Sequence, residues 1–415
     1  MTSQIIRASG TDSTDNYALC PNPRAAKTNP WTGAQDAILN DANLALASGT
    51  ISGWPGYAPT PLHDLPALAA ELGLATLRYK DEGGRFGMGS FKALGGAYAV
   101  ARLLQAEFSR ELGRPVTMDE VTGKAHPDLA AEITVCCATD GNHGRSVAWG
   151  AQTFGCNCVI FIHATVSDSR KEAIAAFGAE VRRCDGNYDD SVRAAQETAD
   201  REGWFVVSDT SYAGYMDIPK DVMQGYELMA AEAFDQIDQP PTHIFLQTGV
   251  GGMAAAVTAL AVRRWGAKRP AIVLCDPDQS ACYLASFRAG IPTAVEGDLD
   301  TLMAGLACGE VSELAWTILR DHADAVVALS DASAVAAMRR LARPTGQDPA
   351  IVAGESAVAG LAGVTALMRD ADACALLGLG PDARILLFGT EGDTDAALYT
   401  ELVGMTAAQV RASNT

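Results

Sequence analysis

Short apolar runs alternate with stretches of helical period along most of this chain. Residues 133–138, 158–163, 180–184 and 204–208 read as strands, separated by helices over 142–154, 169–177 and 188–201. After an irregular piece at 209–220 the alternation resumes. A helix running through Phe234, a strand at 243–247, a helix at 252–265 and a strand at 271–275 follow. Then come a strand at 325–329, a helix at 332–341, a long Ala/Gly-rich helix at 355–368 and a last strand at 384–388. Strands separated by single helices imply right-handed crossovers and parallel pairing. The expected fold is therefore α/β, with two open parallel-sheet domains. Residues 1–96 and 226–415 form the larger one, and 97–225 form a smaller inserted one. Residues 2–44 are mostly polar with scattered Pro and Asn, and read as an extended arm laid on the body.

One stretch stands apart from this pattern: Lys80-Asp81-Glu82-Gly83-Gly84-Arg85-Phe86-Gly87-Met88-Gly89-Ser90-Phe91-Lys92. A β-branched and apolar run ends at Lys80, glycines mark a turn, and Ser90 reads as the cap of a helix covering 91–108. Lys92 then falls in the first turn, above the strand ends, where open α/β sheets place ligands. Most lysines in a first turn are solvated charges, but one desolvated among small and apolar residues has an amine free to form an imine.

The chain has 415 residues and a formal net charge of −19, which disfavours nucleic acid or an anionic membrane as partner. Neither a signal-peptide core nor a run of membrane-helix length is apparent, so a cytoplasmic location is expected. Cys136, Cys137, Cys158 and Cys275 lie in apolar strands and read as buried small hydrophobes. Cys156-Asn157-Cys158 has no second ligand pair at metal spacing, so no metal site is expected. Whether Cys282 and Cys308 pair is open, because sequence does not show proximity.

Three further strand-end loops carry candidate chemistry. Thr139-Asp140-Gly141-Asn142-His143-Gly144 hands a strand to a helix N-terminus, whose amides suit a carboxylate; a plain helix cap reads the same way. Gln247-Thr248-Gly249-Val250-Gly251-Gly252-Met253 suits a phosphate, although such glycine turns also bind nucleotides or nothing. Thr390-Glu391-Gly392-Asp393 follows the last strand and is otherwise an acidic surface turn.

Taken together, these blocks resemble the pyridoxal-phosphate enzymes of the tryptophan-synthase β-like fold (fold type II). Additional segments Asn187-Tyr188-Asp189-Asp190, Ile218-Pro219, Met303-Ala304-Gly305-Leu306-Ala307-Cys308-Gly309-Glu310 and Gly354-Glu355-Ser356 make the resemblance specific to the diaminopropionate ammonia-lyase family over about 59–395. The resemblance implies a homodimer, with pyridoxal 5'-phosphate in a cleft between the two domains, that converts D- or L-2,3-diaminopropionate to pyruvate and ammonia. It implies Lys92 as the Schiff-base lysine, and Asp140 and Asp209 as bases serving opposite faces of the substrate. Phe91, Asn142, Gly249, Val250, Gly251, Gly252, Met253 and Thr390 would hold the cofactor, with Asn142 on its phenolic oxygen and Thr390 on its pyridine nitrogen. Thr139, Asp140, Gly141, His143 and Tyr188 would border the amino-acid substrate. Asp140 stands where the commoner dehydratases carry Ser, and Ser211-Tyr212-Ala213-Gly214-Tyr215 departs from the Trp-containing version of that segment. A hydroxyamino-acid dehydratase of the same fold, a catalytically silent cofactor-binding module and a nucleotide-binding redox protein are the alternatives.

Overall fold

The computed structural model describes residues 6–8, 14, 16–139, 141–186 and 188–414. The chain divides into two compact units. One comprises Met1–Ile38, Pro59–Ser90 and Met229–Thr415; the other comprises Leu39–Ala58 and Phe91–Leu228.

The first unit holds a sheet of eight strands among the described residues. In chain order these are β1 (Ile6–Ala8), β2 (Tyr17–Pro21), β3 (Leu62–Asp64) and β4 (Thr76–Asp81). The second unit contributes its own β5 (Thr134–Ala138), β6 (Asn157–Ile162), β7 (Glu180–Arg183) and β8 (Phe205–Val206). The first unit resumes with β9 (His243–Gln247), β10 (Ala271–Pro277), β11 (Ala325–Leu329) and β12 (Arg384–Gly389). Its spatial order is β1-β2-β11-β10-β9-β12-β4-β3. The central strands β11, β10, β9, β12 and β4 pair in parallel, whereas β1, β2 and β3 run antiparallel at the edges.

Every residue of β9, β10 and β11 is buried, as a parallel sheet covered on both faces requires. Burying a side chain such as Phe245, which has no exposed surface, contributes about 1.5–3 kcal/mol. The second unit holds a four-stranded parallel sheet in the order β7-β6-β5-β8.

Four expectations need correction. The N-terminal arm is not merely laid on the body: β2 is a sheet strand, antiparallel to β11 with Tyr17 opposite Leu329. The larger and smaller domains do not divide at 96/97 and 225/226. Residues 39–58 join the smaller unit, where Trp54 packs on Trp149 and Phe154 with ring centroids 5.8 and 5.5 Å apart. The lysine helix spans Ala93–Leu112 with Lys92 as its N-cap, and Ser90 instead forms a β-bridge to Glu391. Phe86, at φ +51°, kinks the preceding 3-10 segment Glu82–Gly87, which delays the helix start. Finally, the Ala/Gly-rich helix is confined to Ala359–Leu367, because the Ser356 amide is engaged by the Glu391 carboxylate at 3.0 Å.

Among the described residues no helix is long and apolar enough to cross a membrane, and no group of three or more His, Cys, Asp or Glu residues is placed to hold a metal ion.

Candidate active site

Lys92 caps the helix Ala93–Leu112 without a side-chain bond to its own backbone, which leaves its side chain to reach outward. In the smaller unit this helix passes very close to the helix Asp217–Asp235: a Cβ built on Gly225 would lie 1.9 Å from the Leu94 carbonyl oxygen. Only glycine permits that approach. The approach brings the Tyr226 ring to 4.6 Å from that of Phe91, and the Lys92 ammonium lies 5.4 and 5.8 Å from these two ring centres.

Asp209 follows β8, and its Oδ2 accepts a hydrogen bond from Lys92 Nζ at 2.6 Å. Both side chains are 19% exposed. The expected apolar setting of the lysine is thus a mixed one, with aromatic faces on one side and a carboxylate on another. Burial pushes the Asp209 carboxyl up, but the Lys92 ammonium outweighs burial and holds it well below the usual aspartate range. His143 Nδ1 is 3.8 Å from Asp209 Oδ2, and His143 Nε2 lies 2.8 Å from the Val207 carbonyl oxygen. A carbonyl only accepts, so Nε2 carries the proton, and burial drives the imidazole towards its neutral form. Its Nδ1 lone pair has no hydrogen-bond donor among the described residues. Lys92 and Asp209 therefore form a hydrogen-bonded pair able to share one proton, with the His143 ring packed beside it.

Thr139 is buried at the end of β5, and its hydroxyl accepts from the amides of Gly141 and Gly144 at 3.1 and 3.3 Å. These two donors are used within the loop, so it offers a substrate carboxylate fewer amides than its sequence suggests. Asn142 begins the helix Asn142–Phe154. Asp140 lies outside the described residues. Tyr188 begins the helix Tyr188–Glu202, is half-exposed, and meets the His163 ring edge-on at 6.4 Å.

The larger unit supplies a second group. The helix Gly252–Trp265 starts with no side-chain cap, and its first backbone bond is Ala255 N to Gly251 O. The amides of Gly252, Met253 and Ala254 precede that bond, an arrangement that suits a phosphate. Gly251 sits at φ +95°, and any Cβ there would overlap the Tyr283 hydroxyl, which donates to the Val250 carbonyl at 3.0 Å. Cys282 and Cys308 both approach Gly249, and none of the ten cysteines is in a disulfide. Thr390 is buried just beyond β12, and its hydroxyl accepts from Gln247 Nε2 at 2.8 Å.

Sequence reasoning missed Tyr226 in the smaller unit, and Gln247 and a buried ionic cluster in the larger one. Arg85 is bidentate to Glu82 at 2.8 and 2.8 Å and bidentate to Glu232 at 2.9 and 2.7 Å. Lys80 Nζ donates to Glu232 and Gln236 at 2.8 and 2.9 Å, and Thr60 donates to Glu82 at 2.5 Å. Two cations and two carboxylates leave the group neutral, which makes its burial tolerable. The signal available was Glu232 in the otherwise apolar run Met229-Ala230-Ala231-Glu232-Ala233-Phe234.

In the larger unit the uncapped glycine loop and the buried hydroxyl of Thr390 suit a phosphate and a polar ring atom, and in the smaller unit a lysine beside an acid suits an aldehyde; each fits part of a phosphorylated pyridine aldehyde. Comparison with known proteins agrees. A family model described as pyridoxal-phosphate dependent enzyme matches residues 54–388. The diaminopropionate ammonia-lyase of Escherichia coli K12 is 40% identical over 379 residues, covering 90% of this chain and 94% of that protein. A crystal structure of the Escherichia coli enzyme with an aminoacrylate-PLP azomethine reaction intermediate matches with a TM-score of 0.83 and 36% identity, covering 93% and 96% of the two chains. The same enzyme in complex with D-serine matches with a TM-score of 0.84 and 35% identity, covering 97% and 98%. The chain belongs to the pyridoxal-phosphate dependent enzymes and, within them, to the diaminopropionate ammonia-lyase family.

Proposed function

We propose that this enzyme eliminates ammonia from 2,3-diaminopropionate, and that the observation carrying the reading is the 2.6 Å contact between Lys92 and Asp209 with His143 beside it. The balanced reaction consumes one water and yields pyruvate and two ammonia. Pyridoxal phosphate, when bound, supplies the sink for the electron pair left at the substrate α-carbon. Lys92 provides the amine that anchors the cofactor. Asp209, ionised and within hydrogen-bond reach of that amine, takes an α-proton; the neutral His143 beside it keeps the carboxylate from gaining a second fixed cation. Carboxylates at the site favour a substrate whose leaving group is a β-ammonium, and Asp140 joins Asp209 in this reading on the family resemblance. Phe91, Asn142, Gly249, Val250, Gly251, Gly252, Met253 and Thr390 hold the cofactor, while Thr139, Gly141, His143 and Tyr188 border the substrate. The active species is a homodimer, which sedimentation would test.

A pyruvate assay over D- and L-amino acids bearing β-amino, β-hydroxyl and β-chloro groups tests the activity. The expected result is the highest kcat/KM for a diaminopropionate. Higher kcat/KM for serine or threonine would replace the reading with a dehydratase.

A further inference from the structure

The Gln247 side chain is 3% exposed at the carboxyl end of β9. The parallel pairing of β9 with β12, with Leu387 opposite Phe245, brings it beside residues 388–390. Its Nε2 donates to the Phe388 carbonyl at 2.7 Å and to the Thr390 hydroxyl oxygen at 2.8 Å. Its Oε1 is buried with no hydrogen-bond partner among the described residues.

These contacts fix the orientation of the amide. A carbonyl oxygen only accepts, so turning the amide over would set Oε1 against Phe388 O and lose both bonds. The amide nitrogen has two hydrogens, and each has an acceptor. Thr390 is then the acceptor in its bond to Gln247. Its own O–H hydrogen is taken by no acceptor among the described residues. It must point away from Gln247.

The geometry points to Gln247 as a positioning residue that holds Thr390 as a hydrogen-bond donor towards the cofactor's pyridine nitrogen, keeping that nitrogen unprotonated. This rests on the proposed role of Thr390 as the nitrogen's partner. A nitrogen that accepts a hydrogen bond withdraws electrons less strongly than one that carries a proton. Gln247 thereby restrains the side reactions that a longer-lived carbanion permits, racemisation and transamination. The orphaned Oε1 fits this role. An acceptor left unpaired in a buried site costs free energy, and here it accompanies a fixed direction for the neighbouring hydroxyl.

The test uses holoenzyme loaded with pyridine-¹⁵N-labelled pyridoxal phosphate and reads the nitrogen chemical shift. Wild type should show an unprotonated, hydrogen-bonded nitrogen. In Gln247→Glu the buried carboxyl would be neutral, donate to Phe388 O and accept from Thr390, which reverses the hydroxyl and presents its lone pairs to the cofactor. An upfield shift towards the protonated range should follow, together with an increased ratio of racemisation to elimination. In Gln247→Leu the hydroxyl is released, and a smaller upfield shift is expected. A protonated nitrogen in wild type, or shifts in both variants identical to wild type, would overturn the proposal while leaving the ammonia-lyase reading intact. Wild-type protein that takes up no labelled cofactor and gives no borohydride-reducible adduct would overturn both.

Discussion

Replacing Asp209 with Asn keeps the size of the side chain and removes its charge. Loss of a positioned general base usually lowers a rate by about 10²–10⁴-fold. The structure favours the lower end, because Lys92 Nζ sits 2.6 Å from the carboxylate being removed and its free amine can take over as base on the same side. A loss of about 10²-fold corresponds to about 2.7 kcal/mol of transition-state stabilisation. That loss should fall on one enantiomer. With carboxylate and imine nitrogen held in fixed places, the α-hydrogens of D- and L-substrates project to opposite faces, and one base reaches only one of them. On the proposed reading, taken from the family resemblance, Asp209 would serve the L-face and Asp140 the D-face. Pyruvate release should be followed with saturating D- and L-diaminopropionate, with kcat and KM determined separately. Asp209→Asn should lower kcat for the L-isomer by about 10²-fold while the D-isomer stays within about threefold, and KM should change little for either. Equal losses of kcat on both enantiomers would refute the division of labour and make Asp209 a positioning group for Lys92.

Lys92→Ala should abolish pyruvate formation and the borohydride-reducible adduct while the circular dichroism spectrum is kept; an adduct retained on the variant would assign cofactor attachment to another lysine. Arg85→Met leaves Glu82 and Glu232 as buried carboxylates without their shared cation, and should cost about 3–5 kcal/mol in urea denaturation; a loss below about 1 kcal/mol would show that the cluster rearranges freely. The Asp209 carboxyl titrates below its ordinary value of 3.8 in the folded cofactor-free protein, so folding favours its ionised form. Its contribution to stability is full above that value and is lost as pH falls below it; the stability gap between wild type and Asp209→Asn should therefore be constant near neutrality and narrow below about pH 4.

The parallel core was legible because strands buried on both faces are nearly continuous apolar runs, as in His243–Gln247 and Ala325–Leu329. The helices Asn142–Phe154 and Gly252–Trp265 announced themselves through a glycine-rich entry and a regular period. What escaped was long-range. Nothing near Tyr17 indicates that its segment pairs with a strand at Leu329, and nothing near Leu62 that it pairs antiparallel with Lys80 at the edge of the same sheet. Lys80 and Arg85 look like turn charges until Glu232 closes over them. The pairing of Lys92 with Asp209 spans 117 residues, and only the family resemblance linked them beforehand. Gln247 read only as the first residue of the glycine loop, because the direction of its amide is decided by Phe388 and Thr390.

The strand order also dictates when each unit can be completed during synthesis. All residues of the smaller unit have been made once Leu228 is joined, so its four parallel strands can pair while the ribosome is still at work. In the larger unit β4 finds its inner neighbour only in β12, where Thr76 lies opposite Arg384. An early strand waits for one of the last segments of the chain. Through that interval β4 presents an unpaired edge, the surface on which nascent chains associate wrongly. Lys80 on that strand and Arg85 just beyond it still carry uncompensated charge during that interval, since Glu232 follows later in the chain, and such charges disfavour wrong edge pairing before they become a buried clasp.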